Sequence, residues 1–276
     1  FKVDKLSFTF KTLDFNARIN DNSYLNINGN FEIFNRKVDL KYDIKINELE
    51  KLKNLLNYDF KGSFFTNGSF VRDEKNSIIK GVSNFASGET NYNINLVDFE
   101  INNLILNSKN LKIEEFLSLL NKPIYAKGDL NILADIKNAN ISNLDGMIVS
   151  KISNGKIDNE VINKEFNQAI VSPISFNSEI NALLFPNKAE IKTDITSSLV
   201  NIIINKTVVN LAKNEIESDY KIDIKNLSKF EGIIAKKLNG EFTTKGNLKV
   251  FDETINIDGD SNIFDSVIKY NTNLTN

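Results

Sequence analysis

Apolar and polar residues alternate along most of this chain. Val38, Leu40, Tyr42, Ile44 and Ile46 take every second position without interruption. Successive side chains on a strand point to opposite faces, so this run predicts a strand with one apolar and one polar face. The same period runs from Phe8 and Phe10 to Ile19 and through Leu25, Ile27, Phe31 and Ile33. It returns in 78–85, at Tyr92, Ile94 and Leu96, at Leu104 and Leu106, and from Leu130 to Ile136. Further runs follow over 174–185, 189–195, 199–204, 208–211, 220–224, 255–257 and 263–270, roughly 18 to 20 strands in all. Four stretches break the alternation with helical spacing: Leu49, Leu52 and Leu56; Ile113, Phe116, Leu117 and Leu120; Val161, Ile162, Phe166, Ala169 and Ile170; Leu227, Phe230 and Ile234. Asn47 with Glu50 resembles a capping pair for the first, and Asp158 is placed to cap the third, which Pro173 would end.

One short pattern recurs. Gly62-Ser-Phe64-Phe-Thr66-Asn-Gly68-Ser-Phe70 reads almost in register with Gly240-Glu-Phe242-Thr-Thr244-Lys-Gly246-Asn-Leu248, and Lys122–Leu130 is a weaker third copy. Each follows one of the helical stretches. Such internal repetition predicts stacked units sharing a core. Strand parity puts Phe64, Thr66, Gly68 and Phe70 on one face, and Phe242, Thr244, Gly246, Leu248 and Val250 on one face. A glycine inside a strand weakens it unless something approaches closely. The expectation is that a preceding helix, or the opposite wall of a curved sheet, lies over Gly68, Gly128 and Gly246. The alternative at Asn67-Gly68 is a hairpin turn. Ser87-Gly88, Asp145-Gly146, Asn154-Gly155 and Asp258-Gly259 also read as turns, Asn28-Gly29 as a turn or bulge, and the parity slip between Leu96 and Val97 as a bulge.

The predicted fold is mainly β with a few short α-helices. It is a single elongated region over 1–276, in approximate units 1–110, 111–210 and 211–276. A curved antiparallel sheet built of helix–strand repeats would form a groove.

Composition narrows the chemistry. Of the 276 residues, 41% are hydrophobic and 25% charged, normal for a folded protein, and 44 are Asn. The net charge of −2 is dispersed, so no electrostatic footprint for nucleic acid is present. The chain has no Cys and no His. That removes thiol and imidazole nucleophiles, the Ser-His-Asp triad and the usual zinc and haem ligand sets. Asp258-Gly-Asp260-Ser-Asn262 starts like a calcium loop, but Ile263 and Lys269 stand where its Gly and Glu belong. The adjacent acids Glu114-Glu115 and Asp252-Glu253 read as solvated faces. The expectation is no enzyme, no cofactor and no metal. Leu199–Leu211 is the longest apolar stretch, and Asn201, Asn205, Lys206 and Asn210 interrupt it too often for a membrane span. With Met147 the sole Met, the chain is expected to be part of a longer protein.

The recurring unit, a helix followed by Leu-x-Gly-x-apolar-x-small-x-Gly-x-apolar, resembles the AsmA-like superfamily of bridge-like lipid transfer proteins. The best stretch is Ala235-Lys-Lys-Leu238-Asn-Gly240-Glu-Phe242-Thr-Thr-Lys-Gly246-Asn-Leu248, supported by Ile141–Gly146 and Ile152–Ile157. The resemblance spans about 110–265 and the first unit. It implies a periplasmic β-structure in a Gram-negative cell, anchored in the inner membrane by a preceding segment, with outer-membrane proteins as further partners. It also implies a taco-like apolar groove that carries phospholipid acyl chains toward the outer membrane, with no catalytic residues. The groove candidates are Phe64, Phe70, Tyr92, Ile94, Leu96, Leu130, Ile132, Phe242, Leu248 and Val250. The competing reading makes these residues plain core. Other classes remain open: a β-rich surface adhesin or autotransporter passenger with no lipid role, and an outer-membrane barrel.

Overall fold

Antiparallel pairing of consecutive strands generates nearly everything that is regular in this chain. The computed structural model describes residues 3–4, 7–20, 23–32, 36–252, 254–263 and 266–275. The expected apolar position Ile33, the acid Glu253 and residues 264–265 of the last predicted strand lie outside them, as do the side chains of Phe8, Phe10, Ile19 and Ile263. Seventeen strands and four short helices are present among the described residues. The chain is mainly β and antiparallel, as the alternation predicts. Contacts divide it into two units, Phe1–Pro123 with Asn131–Asn140, and Ile124–Leu130 with Ile141–Asn276.

In the first unit, β1 (Val3–Asp4) pairs with β2 (Ser7–Asn20). Then β3 (Ser23–Glu32), β4 (Lys37–Ile46), β5 (Phe64–Asp73), β6 (Asn76–Ser83), β7 (Glu89–Val97) and β8 (Glu100–Lys112) each pair antiparallel with the strand before. The latter part of β9 (Ala126–Asn138) bonds to β8, where the Ala139 N–H donates to the Asn102 carbonyl at 3.1 Å.

In the second unit the first residues of β9 lie beside β10 (Asp145–Ile157), and the Asp158 N–H donates to the Tyr125 carbonyl at 2.9 Å. There follow β11 (Ser175–Phe185), β12 (Lys188–Ser197), β13 (Asn201–Asn210), β14 (Glu215–Ile224), β15 (Phe242–Phe251), β16 (Thr254–Ile263) and β17 (Ser266–Thr275), each paired with its predecessor.

Within each unit such a meander brings the ends of the even-numbered strands to one edge. The helices of each unit sit in connections that follow even-numbered strands. In the first unit these are α1 (Lys53–Leu56) after β4 and α2 (Ile113–Leu119) after β8. In the second they are α3 (Asn159–Phe166) after β10 and α4 (Glu231–Ile234) after β14. The opposite edge carries tight turns. Asn supplies seven of the fifteen non-glycine residues with positive φ among the described residues, in turns, bulges and helix ends. Its short polar side chain tolerates the left-handed region, which gives the high Asn content a structural use.

Local expectations met mixed outcomes. Asp158 caps α3, its carboxylate accepting from the Val161 N–H at 3.2 Å. The helix stops at Asn167 (φ 53°), well before Pro173. Asn47 is no cap: its N–H donates to Ser23 Oγ at 3.0 Å, and a 3-10 turn, Leu49–Leu52, precedes α1. Ser87-Gly88 does reverse the chain. Asn67-Gly68 and Asp258-Gly259 lie inside continuous strands, and Asp145-Gly146 opens β10. Asn154-Gly155 is a bulge within β10, with Asn154 at φ 56°. At Asn28-Gly29 the strand continues, and the extra residue sits opposite, between Phe10 and Leu13 of β2. The slip near Val97 contains a register shift at Leu96 and, just beyond, a two-residue turn. Asp98 (φ 49°) and Phe99 (φ 69°) make that turn, so one expected strand is the hairpin β7–β8. Arg72 stacks over the Phe99 ring at 4.0 Å.

Candidate functional site

Strand registers assemble the apolar positions into rows. In the first unit, one row runs Leu13, Gly29, Leu40, Phe70, Ile79, Ile94 and Leu104. Beside it run Phe15, Ile27, Tyr42, Gly68, Gly81, Tyr92 and Leu106. The other face of the same strands carries Asn16, Asn26, Asp43, Asn67, Val82, Asn91 and Asn107 in one row, polar except for Val82, because directly paired residues share a face. The structure therefore brings Phe64, Phe70, Tyr92, Ile94 and Leu96 together on one apolar face. In the second unit Phe242, Leu248 and Val250 share a face, paired with Ile224, Ile257 and Ile255. Leu130 and Ile132 both belong to β9.

Burial on this face is graded. Phe64, Phe70, Tyr92, Ile94, Leu96, Ile132, Phe242, Leu248 and Val250 are half-buried, while Leu130 is buried. Farther along the first-unit rows Leu13 is 41% and Phe15 48% exposed. Buried residues cluster at the helical edge, at Leu49, Ala86, Leu111, Ile113 and Leu119, and recur at the opposite ends of the strands, at Val38, Ser77 and Ala189. At the helical edge Phe85 meets Phe116 edge-on at 5.8 Å. The short helices thus cover one end of the strands in each unit, and the middle rows, such as Leu40, Phe70, Ile79 and Ile94, stay half-buried.

Between the helices and the exposed rows lies a feature the sequence reading missed. A Cβ on Gly68 would stand 2.0 Å from the Lys80 carbonyl oxygen and 2.5 Å from the Tyr42 hydroxyl, and one on Gly81 would stand 2.5 Å from the Tyr92 hydroxyl. So tyrosines from neighbouring strands lie over the glycines, where a helix or the far wall of a curved sheet had been expected. Their hydroxyls form a chain. Tyr42 Oη is 2.7 Å from Tyr92 Oη, which is 2.5 Å from Thr66 Oγ1, and Thr66 donates to the Val82 carbonyl at 2.9 Å. Since Thr66 spends its proton on the carbonyl, Tyr92 donates to Thr66 and Tyr42 donates to Tyr92.

The second unit repeats this group at a constant offset of 178 residues (42 to 220, 66 to 244, 68 to 246, 81 to 259, 92 to 270). Tyr220 Oη is 2.5 Å from Tyr270 Oη, which is 2.6 Å from Thr244 Oγ1, and Thr244 donates to the Asp260 carbonyl at 3.1 Å. Both glycines of each set are again directly opposite. Burial, then the hydrogen bond to the partner tyrosine, pushes the Tyr42 and Tyr220 phenols well above their ordinary range. At Gly128 the neighbour is Gly155, with Phe176 over the latter and no hydroxyl chain. The recurring glycines were the visible signal; the tyrosines 26 residues before Gly68 and Gly246 were the missing half of it.

The polar face is charged and solvated, with pairs such as Lys151–Glu179 at 3.0 Å and Lys249–Glu217 at 2.9 Å. Asn181 and Lys151 hold the Glu179 carboxyl below its usual range. No three Asp or Glu side chains converge as a metal set among the described residues, and no helix among them is long and apolar enough to cross a membrane. No protein family, no curated protein and no solved structure matches the chain.

Proposed function

We propose that this chain is a lipid-carrying protein whose apolar sheet face forms the wall of a groove for phospholipid acyl chains. In this reading it is a non-enzymatic, periplasmic, AsmA-like protein held at the inner membrane by a further segment, and helix–strand repeats build the groove. The observation that carries the reading is the half-burial of the apolar rows. Phe70, Ile79, Ile94 and Leu104 stand side by side on one face, and none of them is buried. A strand face of this kind gains free energy when covered, at about 0.8 kcal/mol per CH₂ removed from water. An acyl chain lying along such a row would supply many CH₂ groups, and a row of β-strand side chains about 4.8 Å apart gives it a continuous track.

The test is native purification followed by mass spectrometry for bound phospholipid, with Phe70→Asp and Leu248→Asp variants in parallel. The expected result is co-purifying phospholipid that is lost from the variants while their far-ultraviolet circular dichroism is retained. Absence of lipid from the unaltered chain, or variants that unfold outright, would make the face ordinary core and end the proposal.

A further inference from the structure

Two buried polar atoms without a partner stand on the apolar face of the first unit. The row next to Phe70 and Ile79 runs Phe31, Val38, Arg72, Ser77, Leu96 and Ile101, at the turn end of the strands. A cation and a hydroxyl thus interrupt an otherwise apolar row, and the strand register makes them direct neighbours. Arg72 Nε donates to the Glu74 carbonyl at 2.9 Å, and the guanidinium lies 4.0 Å over the Phe99 ring. Its Nη1 is buried and has no hydrogen-bond partner. Ser77 is 1% exposed, and its Oγ is buried without a partner as well. An unbonded buried donor is costly, more so on a charged group, and in a folded protein it calls for an explanation. Two acids of the adjoining turns already have cations: Asp73 pairs with Lys37 at 3.6 Å and Asp98 with Lys75 at 3.3 Å. Phe99 is 66% exposed, and Phe31 and Ile101 at the ends of the row are 39% and 50% exposed, so a ligand reaches the guanidinium by displacing it from one exposed ring. The second unit shows what the architecture itself requires here. At the 178-residue offset Arg72 corresponds to Val250 and Ser77 to Ile255, and these too are direct partners. An apolar pair completes the row in that copy, so the polar pair of the first is not a demand of the fold.

A guanidinium beside a hydroxyl is a donor set for an oxyanion: the planar fork bonds two oxygens at once, and the hydroxyl bonds a third. We propose that Arg72 and Ser77 bind the phosphate group of a phospholipid whose acyl chains lie along the row of Phe70 and Ile79. The inference rests on the lipid reading above and names the part of the ligand that is held at this place. A phosphate that draws the guanidinium off Phe99 gives Nη1 and the Ser77 hydroxyl an acceptor each, in exchange for one ring contact. A neutral lipid leaves both groups unbonded. The adjoining row is apolar and half-buried at Phe70 and Ile79, so the tails of the same molecule continue along it.

The test is isothermal titration calorimetry of the full chain with dihexanoylphosphatidic acid, with dihexanoylglycerol, which differs from it only in lacking the phosphate, and with inorganic phosphate. The phosphatidic acid is expected to bind at least about tenfold more tightly than the diacylglycerol, a difference of about 1.4 kcal/mol. Arg72→Val, which installs the second unit's residue, should bring the two lipids to equal affinity with the circular dichroism unchanged. Ser77→Ala should weaken phosphatidic acid binding severalfold. Arg72→Lys should fall between the unaltered chain and Arg72→Val, because it keeps the charge without the fork. These two milder variants carry the test if Arg72→Val does not fold. The lipid reading and the phosphate site fail separately. If neither lipid binds, the lipid reading falls and the site falls with it. If both lipids bind equally and the variants change nothing, the lipid reading stands and the phosphate site is overturned. If inorganic phosphate binds as tightly as the phosphatidic acid and loses that affinity in Arg72→Val, the site serves a free anion and its assignment to a lipid is overturned.

Discussion

Replacing Gly246 by Ala places one methyl group where the sheet has no room. The new Cβ would stand 2.0 Å from the Asp258 carbonyl oxygen, 2.6 Å from the Tyr220 hydroxyl and 2.8 Å from Gly259 Cα. The first and last of these are backbone atoms of β16, which strand pairing holds in place. Relief therefore requires β15 and β16 to separate locally. Overpacking of this kind costs about 1–3 kcal/mol. Separation also gives up the Tyr220–Tyr270 hydrogen bond, at about 1 kcal/mol. The expected loss is about 3 kcal/mol, the middle of the combined range. With seven Tyr and no Trp, urea unfolding followed by tyrosine emission reports directly on the altered site. Circular dichroism in parallel gives the second probe that a two-state analysis requires. The carbonyl lies closer than the hydroxyl, so Tyr220→Ala in the same chain should not restore stability. A loss under about 0.5 kcal/mol, or full rescue by Tyr220→Ala, would refute the argument that backbone contact makes glycine obligatory here.

Two further outcomes follow from the same structure. Tyr42 and Tyr220 are neutral in the fold and their phenols sit above the ordinary value near 10. Their contribution is therefore complete below pH 10 and is lost as pH rises through the folded-state values. A tyrosinate absorbance titration should show a late component that coincides with unfolding, and Tyr42→Phe with Tyr220→Phe should remove it; a titration of all tyrosines together near pH 10 would contradict this. Asp158→Ala removes the α3 cap and should lower the stability of the second unit by about 1 kcal/mol in urea unfolding, with Asp158→Asn nearly neutral.

What the sequence determined by itself is the division of the chain into two-faced strands. Period-2 alternation is local chemistry, so Val38 to Ile46 and Phe64 to Phe70 were legible without coordinates, as was the Asp158 cap, whose partner lies three residues away. The candidate face was legible for the same reason: parity alone places Phe64 with Phe70 and Phe242 with Leu248.

Register, cover and the meaning of the glycines belonged to the tertiary structure. Asn67-Gly68 and Asp258-Gly259 carry the local signature of turns, yet they sit mid-strand because tyrosines on neighbouring strands need the space a Cβ would fill. Which apolar residues end up buried was equally invisible from composition. Leu49 and Leu227 occupy equivalent positions, but α2 lies beside the first, and burial depends on what arrives from elsewhere in the chain. Hydrophobicity says that a surface gains from being covered; only the packing of distant segments decides whether it is.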